Sequence, residues 1–310
     1  MDGAKVNTVD EDGWVEAVGD SLRAAGAELD HVVSVERDGS RLSVFAKPGL
    51  VQRWTPLPVA VMVAGTSAAS TVAGLVLTIG GTTVGVCCCH YAAATADEQS
   101  RRTQTRNETT RQLMSELNAA VGSSNGELDL QAQCDHLLWL GDMGYEISDA
   151  EGSVEQAVVD AVPTQDFSQL QARDCLRAEL KARRTLVGFT EAPLRYAPRL
   201  AHRSRPTAWS PRVLWCSKAA FRTWMSQRWL APVVKPEWAH GATYTPLAAT
   251  FQLHAAAPPP QAHEVVVLLR GLRASLDATF AGADPTASFA VRFVSEAFPP
   301  LTPPLRSAPL

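Results

Sequence analysis

Thiol and imidazole groups occur together in two short stretches that could support chemistry. The stretch 87–90 holds three cysteines and a histidine at the end of a long uncharged run, where a membrane edge would favour thioester acylation. The stretch 134–136, Cys-Asp-His, could place a thiolate near an imidazole, but residues two apart point to different sides of a helix. The candidates for acylation are Cys87, Cys88 and Cys89, and burial as small apolar residues is the alternative for them.

Motifs that fix a reaction are missing from the sequence. It contains no GxSxG, GxxxxGK[ST], HExxH or GxGxxG motif and no paired CxxC. The six cysteines lack the spacing of a disulfide framework or of a zinc site, which favours a reduced, intracellular environment. We therefore expect no catalytic residue, no cofactor and no metal, with an enzyme that lacks a recognisable motif as an alternative.

A basic, tryptophan-rich segment occupies residues 183–240. Between residues 183 and 235, nine arginines and two lysines face one acidic residue, while the whole chain has a net charge of −4. Cations interleaved with aromatic rings suit protein contacts, anionic lipid headgroups or nucleic acid. The candidate binding residues are Arg203, Arg205, Arg212, Trp215, Lys218, Arg222, Trp224, Arg228 and Trp229.

The local pattern of this segment predicts a helix from about Pro211 to Leu230. Serine followed by proline is a good helix start, and a proline at position 232 would end the helix. Lys218 and Arg228 interrupt its apolar arc, whereas a helix lying on a membrane surface would separate charged from apolar residues. The pattern favours contact with protein, leaves anionic lipid as an alternative partner, and makes nucleic acid an unlikely one.

The longest apolar feature is a run of thirty-one residues, 59–89, without a charged side chain. About 20 apolar residues suffice to cross a bilayer as a helix, so the run predicts one transmembrane segment within residues 56–91. A buried core helix and a hairpin of two short spans are the alternatives. The cations that flank the run balance one another, so the orientation stays open.

Small residues at intervals of four give this predicted helix a smooth face. Small side chains let transmembrane helices approach closely, and the motif Gly-Thr-Thr-Val-Gly at 81–85 is a literal GxxxG. We therefore expect other membrane proteins to pack against this face. The predicted helix-packing residues are Gly65, Ala69, Ala73, Gly74, Gly81 and Gly85.

The remaining chain reads as mixed α and β structure. Apolar residues at helical spacing after Trp14, followed by two short strands around Asp38-Gly39, predict a small α-β-β unit. The fold class expected is α+β with a membrane anchor, a mainly helical middle and an α/β C-terminal part. The predicted divisions are 1–55 (α-β-β unit), 56–91 (transmembrane), 92–121 (juxtamembrane helix), 122–182 (helical), 183–240 (basic), 241–298 (α/β) and 299–310 (proline-rich tail).

One stretch of the helical region resembles a ubiquitin-associated domain. Leucines at 137, 138 and 140, the loop Met143-Gly144-Tyr145 and the apolar pattern of 154–158 carry the resemblance. It implies a small helical fold that binds ubiquitin through that loop and its third helix. Only a few residues separate Tyr145 from Gly152, however, where that family needs a second helix, so ordinary helical packing explains the leucines better.

Together these patterns predict a non-catalytic, single-pass protein of an intracellular membrane, with an organellar outer membrane or the endoplasmic reticulum both open. Its role would be that of a subunit, scaffold or assembly factor of a membrane protein complex. A membrane tether that holds anionic lipid or nucleic acid through the basic segment is the alternative.

Overall fold

The structure is a computed structural model. It describes residues 4–7, 13–38, 40–64, 66–93, 101–121, 129–150, 152–200, 207–218, 225–232 and 247–253, with the backbone alone for 4–7 and 225–232. The predicted proline-rich tail and most of the predicted α/β part lie outside the described residues.

The N-terminal part contains one helix and one small sheet. Strand β1 (Ala4–Asn7) is followed by helix α1 (Trp14–Ala24) and by strands β2 (Asp30–Arg37) and β3 (Ser40–Ala46). The strands form an antiparallel sheet in the order β1-β2-β3. Asp38, at the turn between β2 and β3, has a positive φ of 45°, the conformation that the Asp-Gly pair predicts.

A six-stranded sheet forms the centre of the fold. Its members are β4 (Val51–Val61), β5 (Ser70–Ile79), β6 (Thr82–His90), β7 (His136–Asp142), β8 (Thr190–Glu191) and β9 (Arg212–Ser217), in the order β4-β5-β6-β7-β9-β8. Strands β6 and β7 run parallel, and the other neighbours run antiparallel. A parallel pair needs a long crossover, and the crossover here contains helices α2 (Arg102–Val121) and α3 (Leu130–Gln133).

The uncharged run is therefore three strands and not a membrane helix. It comprises the end of β4, all of β5 and nearly all of β6, with a two-residue turn at Gly80 and Gly81, whose φ angles are 55° and 81°. Both faces of these strands are covered, so both faces are apolar and the alternation that marks a half-buried strand disappears. None of the helices in the described ranges is both long enough and apolar enough to span a bilayer.

Apolar side chains fill the space on both sides of this sheet. On one side, Leu113 and Leu117 of α2 pack on a cluster of strand residues: Leu57, Val59, Cys87, Cys89, Leu137, Trp139 and Leu214. On the other side, Val33 and Val35 of β2 pack on Ala73, Leu75 and Leu77 of β5. The fold thus has α2 on one face of the central sheet and the N-terminal sheet on the other.

Short elements complete the described part of the chain. Helices α4 (Val154–Ala161), α5 (Ser168–Ala172) and α6 (Cys175–Lys181) follow β7, and an antiparallel pair, β10 (Met225–Pro232) and β11 (Leu247–Leu253), follows β9. A helix predicted from Pro211 to Leu230 is wrong, because β9 and the start of β10 occupy those positions. The predicted fold class is also wrong: a large sheet replaces the membrane helix, and strand β7 lies within the region predicted as helical.

Candidate active site

The carboxyl ends of two parallel strands meet at one edge of the central sheet. His90 ends β6 and Asp142 ends β7, and the two residues are register partners. Neighbouring strands lie about 4.8 Å apart, so the backbones that carry the imidazole and the carboxylate lie side by side. The backbone N–H of Tyr91 donates to the carbonyl of Asp142 at 2.9 Å, which continues the pairing past the ends of the strands.

A glycine allows the two strands to approach closely just before Asp142. Gly141 has a φ of +126°, and a Cβ atom there would lie 2.0 Å from the carbonyl oxygen of Cys89. No side chain fits at that distance, so glycine is required by both the backbone conformation and the space. Beyond it, the N–H of Gly144 donates to Oδ1 of Asp142 at 3.1 Å, and this bond helps to orient the carboxylate.

Helix α2 places an arginine beside this pair of strand ends. Arg106 is 5% exposed, and its guanidinium donates to the carbonyl oxygen of Ala92. Three guanidinium atoms lie 3.1–3.2 Å from where a Cβ of Gly144 would be, so the guanidinium covers that backbone. Burial lowers the pKa of Arg106, and the attraction of Asp142 opposes this effect. Among the described residues, Nε of Arg106 has no hydrogen-bond partner.

Two buried tyrosines follow the strands and bond to α2. The hydroxyl of Tyr91 lies 2.9 Å from that of Thr110, and the hydroxyl of Tyr145 donates to Oδ1 of Asn107 at 2.8 Å. Burial raises the pKa of Tyr91 well above its ordinary value and that of Tyr145 to about 12. Both phenols are therefore neutral near pH 7 and serve as hydrogen-bonding groups.

The first residue of β5 and the loop before it bond to the chain that leaves β6. Ser70 accepts a hydrogen bond from the N–H of Ala92 at 3.0 Å, and the N–H of Ser67 donates to the carbonyl of Ala93 at 3.0 Å. These bonds tie the loop to the chain that leaves β6.

The segment 207–211 leads into β9, next to the end of β7. The indole N–H of Trp209 donates to the carbonyl of Tyr196 at 2.8 Å, and the Tyr196 hydroxyl donates to the carbonyl of Pro211 at 2.9 Å. Arg212, opposite Gly141 in the sheet, donates to Asp174 at 2.9 and 3.0 Å and to Glu191 at 2.6 Å. Burial alone would lower the pKa of Arg212, but the attraction of these carboxylates outweighs it and raises the pKa well above its usual value.

The binding residues predicted in the basic segment do not form one surface in the described part. Arg212 is buried between two carboxylates, so it cannot bind an anionic surface. Lys218 donates to Asp135 at 3.1 Å, and the ring of Trp215 packs edge-on against Phe251 at 5.4 Å. Arg228 and Trp229 belong to β10, whereas Arg203, Arg205, Arg222 and Trp224 lie outside the described residues.

The residues predicted to pack in a membrane lie in the central sheet instead. Ala73 and Gly74 belong to β5 and Gly85 to β6; Gly81 is in the turn, Ala69 precedes β5, and Gly65 lies outside the described residues. Their role in packing a transmembrane helix is wrong, because the segment forms strands. A Cβ at Gly85 would lie 2.6 Å from Leu137, so this glycine serves the packing of adjacent strands.

The three neighbouring cysteines alternate along β6. Cys87 and Cys89 are buried and Cys88 is half-buried, and burial raises the pKa of all three thiols. The membrane edge that motivated their acylation is not present in the described part, and the modification itself stays a prediction. Cys134 and His136 lie at the opposite end of β7 from Asp142, far along the strand from the site described above.

The sequence reasoning missed Asp142 and Arg106 and treated His90 only as the end of a cysteine run. One signal could have found the first of these. An apolar stretch, Leu-Leu-Trp-Leu, ends in Gly-Asp at 141–142, as expected where a buried strand leaves a sheet and a polar residue follows. Arg106 gives no such signal, because it looks like one of several cations on a polar helix.

Comparison with known proteins identifies the family. Residues 4–218 match the family described as Endonuclease/Exonuclease/phosphatase family 2. This match covers more than half of the 310 residues, and the chain belongs to that family. The matched region contains the whole six-stranded sheet, including the strand ends at His90 and Asp142.

The chain is also similar to one curated protein and to two solved structures. Over 96 residues the chain is 31% identical to the type II inositol 1,4,5-trisphosphate 5-phosphatase of Mus musculus, a match that spans 27% of this chain and 9% of that protein. The inositol polyphosphate 5-phosphatase domain of SPsynaptojanin, solved with inositol (1,4)-bisphosphate and a calcium ion, has a TM-score of 0.57 at 15% identity, covering 80% of this chain and 71% of that chain. The ferrous NO complex of Cimex nitrophorin has a TM-score of 0.50 at 14% identity, covering 82% and 88%. At these identities the two structures show the fold alone.

These findings correct the predicted function. The family is one of nucleases and phosphatases, so the expectation of a non-catalytic scaffold, complex subunit or assembly factor is wrong, as is the expectation that the chain is not an enzyme. The predicted single-pass membrane location is wrong as well, since the segment on which it rested is a set of strands. The resemblance to a ubiquitin-associated domain is not confirmed, because β7 is a strand where that family has a helix. Binding to other membrane proteins or to anionic lipid stays a prediction.

The calcium ion of the synaptojanin domain raises the question of a metal site in this chain. Within the described ranges, no three His, Cys, Asp or Glu side chains come together in an arrangement that could hold a metal ion. The described residues therefore do not fit a complete metal site.

Proposed function

We propose that this domain binds a phosphate ester at the carboxyl ends of β6 and β7 and hydrolyses it. The observation that carries the proposal is the pairing of His90 with Asp142 in adjacent parallel strands, inside the region that matches the family. Ligands of sheets with parallel strands bind where the strands end at their carboxyl side, because the connecting loops converge there.

The two side chains suit acid–base catalysis. A neutral imidazole of His90 accepts the proton of a water molecule as its oxygen attacks phosphorus, and the carboxylate of Asp142 stabilises the imidazolium that forms. The bond from phosphorus to the ester oxygen breaks on the side opposite the attacking water, so that oxygen takes its proton from solvent and the imidazolium returns its own proton to solvent. The products are an alcohol and inorganic phosphate, and the two side chains end in their starting protonation states.

The substrate class we propose is a phosphorylated inositol. Its support is the 31% identity to an inositol 1,4,5-trisphosphate 5-phosphatase over 96 residues and the fold shared with a domain solved with an inositol bisphosphate.

The test is release of inorganic phosphate from inositol 1,4,5-trisphosphate by the purified chain, with and without added magnesium or calcium. We expect turnover that disappears in His90→Gln and persists in His31→Gln, a control histidine on β2 that bonds to Ser34. A nitrophenyl phosphate and a trinucleotide serve as competing substrate classes, and cleavage of the trinucleotide, a diester that yields no inorganic phosphate, is followed by chromatography. Absence of hydrolysis of every substrate, or equal hydrolysis by the His90 variant, would overturn the proposal.

A further inference from the structure

Helix α2 contacts the chain that leaves each of the two central strands. Toward β6, Thr110 meets the hydroxyl of Tyr91 at 2.9 Å, and Arg106 donates to the carbonyl of Ala92. The contacts toward β7 are equally direct: Asn107 accepts from Tyr145 at 2.8 Å, and Arg102 donates to Glu146 at 2.8 Å. One helix therefore holds both strand ends.

Arg106 of α2 contacts the chain after both strands with one side chain. It bonds to Ala92, two residues after His90, and its guanidinium covers the backbone of Gly144, two residues after Asp142. Its charge also acts on Asp142. A guanidinium is planar and rigid. Because its bond to Ala92 fixes the guanidinium of Arg106, the same group also restricts the backbone of Gly144.

The burial of Arg106 argues that it acts through its neighbours. At 5% exposure, the guanidinium has little surface to offer a substrate. Burial of a cation is costly unless the cation is bonded, and the Ala92 carbonyl and the nearby Asp142 charge are what offset the cost here. One of these contacts is two residues after His90, and the other is with Asp142 itself.

We propose that Arg106 is a positioning residue that sets the separation of His90 and Asp142 by bracing the chain after each of them. This inference rests on the proposed function for its catalytic consequence, but the brace itself is a property of the free protein. Glycine at position 144 is part of this arrangement, because any side chain there would displace the guanidinium of Arg106.

Amide hydrogen exchange of the free protein tests the brace directly. Two amides report on it: that of Tyr91, which donates to the Asp142 carbonyl, and that of Gly144, which donates to the Asp142 carboxylate. In Arg106→Met we expect both to exchange at least about tenfold faster while amides in the middle of β7 keep their rates. The matched control is Arg111→Met, since Arg111 is an exposed residue of α2 that pairs with Glu108.

Kinetics then tests the catalytic consequence. We expect Arg106→Met to lower kcat about tenfold or more with KM changed less than about threefold, because the pair is displaced and substrate contacts are not. Arg106→Lys keeps the charge and is expected to recover part of kcat; it also serves if the Met variant fails to fold. If the wild-type chain shows no turnover, the proposed function is overturned. Amide hydrogen exchange alone then tests whether Arg106 braces the chain after the two strands. Unchanged exchange at both amides, or faster exchange with unchanged kcat, would overturn the positioning role.

Discussion

Arg212 and Asp174 form a bidentate ion pair in the interior of the protein, with N–O distances of 2.9 and 3.0 Å and side chains that are 1% and 0% exposed. Arg212 also donates to Glu191, and Asp174 accepts from the N–H of Arg177 at the start of α6. This cluster joins β9, β8 and α6 immediately behind the segment that ends at Pro211.

Loss of this arginine should destabilise the protein strongly. Arg212→Met leaves two buried carboxylates without their cation, and removal of one partner of a buried pair typically costs about 3–5 kcal/mol. We expect that loss in the free energy of unfolding measured with urea. The control is Arg23→Met, because Arg23 pairs with Asp20 at the surface, where both side chains are more than half exposed and the pair contributes little to stability. Equal effects of the two substitutions would contradict the role given to Arg212.

The glycine before Asp142 should tolerate no side chain. In Gly141→Ala the new methyl group would meet the carbonyl oxygen of Cys89 at 2.0 Å, so β6 and β7 must separate at the site. We expect loss of phosphate release together with a stability loss larger than that of Gly152→Ala. Gly152 is the matched control, because its φ of +106° is equally unfavourable for alanine but no described atom lies within 4 Å of the new methyl. Similar thermal unfolding and activity of the two variants would show that the contact is unimportant.

The buried thiols predict a loss of stability in alkaline solution. Burial raises the pKa of Cys216 to about 11 and that of Cys134 to about 12, whereas a thiol of the unfolded chain titrates near 8.5. Below pH 8.5 the thiols are neutral in both states and stability is fully present. As the pH rises from about 8.5 to 11, only the unfolded chain releases these protons, so stability falls by up to about 1.4 kcal/mol per pH unit for each thiol.

Urea unfolding between pH 7 and 10.5 measures this dependence. Cys216→Ala should give a shallower decline than the wild type over the alkaline range, with both curves flat between pH 7 and 8. Parallel curves for the two proteins would mean that Cys216 does not contribute to the decline.

The sequence predicted local structure better than it predicted the fold. The structure has a helix at Trp14–Ala24 and a hairpin at β2 and β3, where helical spacing and the Asp-Gly pair indicated them, because both signals depend on neighbouring residues alone. The prediction from the uncharged run was wrong because a run of that length fits a membrane-spanning helix as well as it fits three buried strands. Only the partners across each strand show that both of its faces are buried.

The candidate site was harder to predict than the elements that carry it. His90 and Asp142 are separated by fifty-two positions and meet only because β6 and β7 pair in parallel across the α2 crossover. Arg106 looks in the sequence like a solvated charge on a polar helix, yet it is buried against the strand ends. Gly81 and Gly85 fit a helix-packing motif by spacing, although one lies in a hairpin turn and the other between strands.

The central claim is that His90 and Asp142 act as one unit in the hydrolysis of a phosphate ester. The most direct measurement is kcat/KM for phosphate release from inositol 1,4,5-trisphosphate by the wild type, His90→Gln, Asp142→Asn and the double variant. Acid–base groups contribute about 10²–10⁴ to rate, and groups that act as a unit give losses that do not multiply. The account predicts that the double variant is no slower than the slower single variant. Losses that multiply, or single variants as active as the wild type, would contradict it.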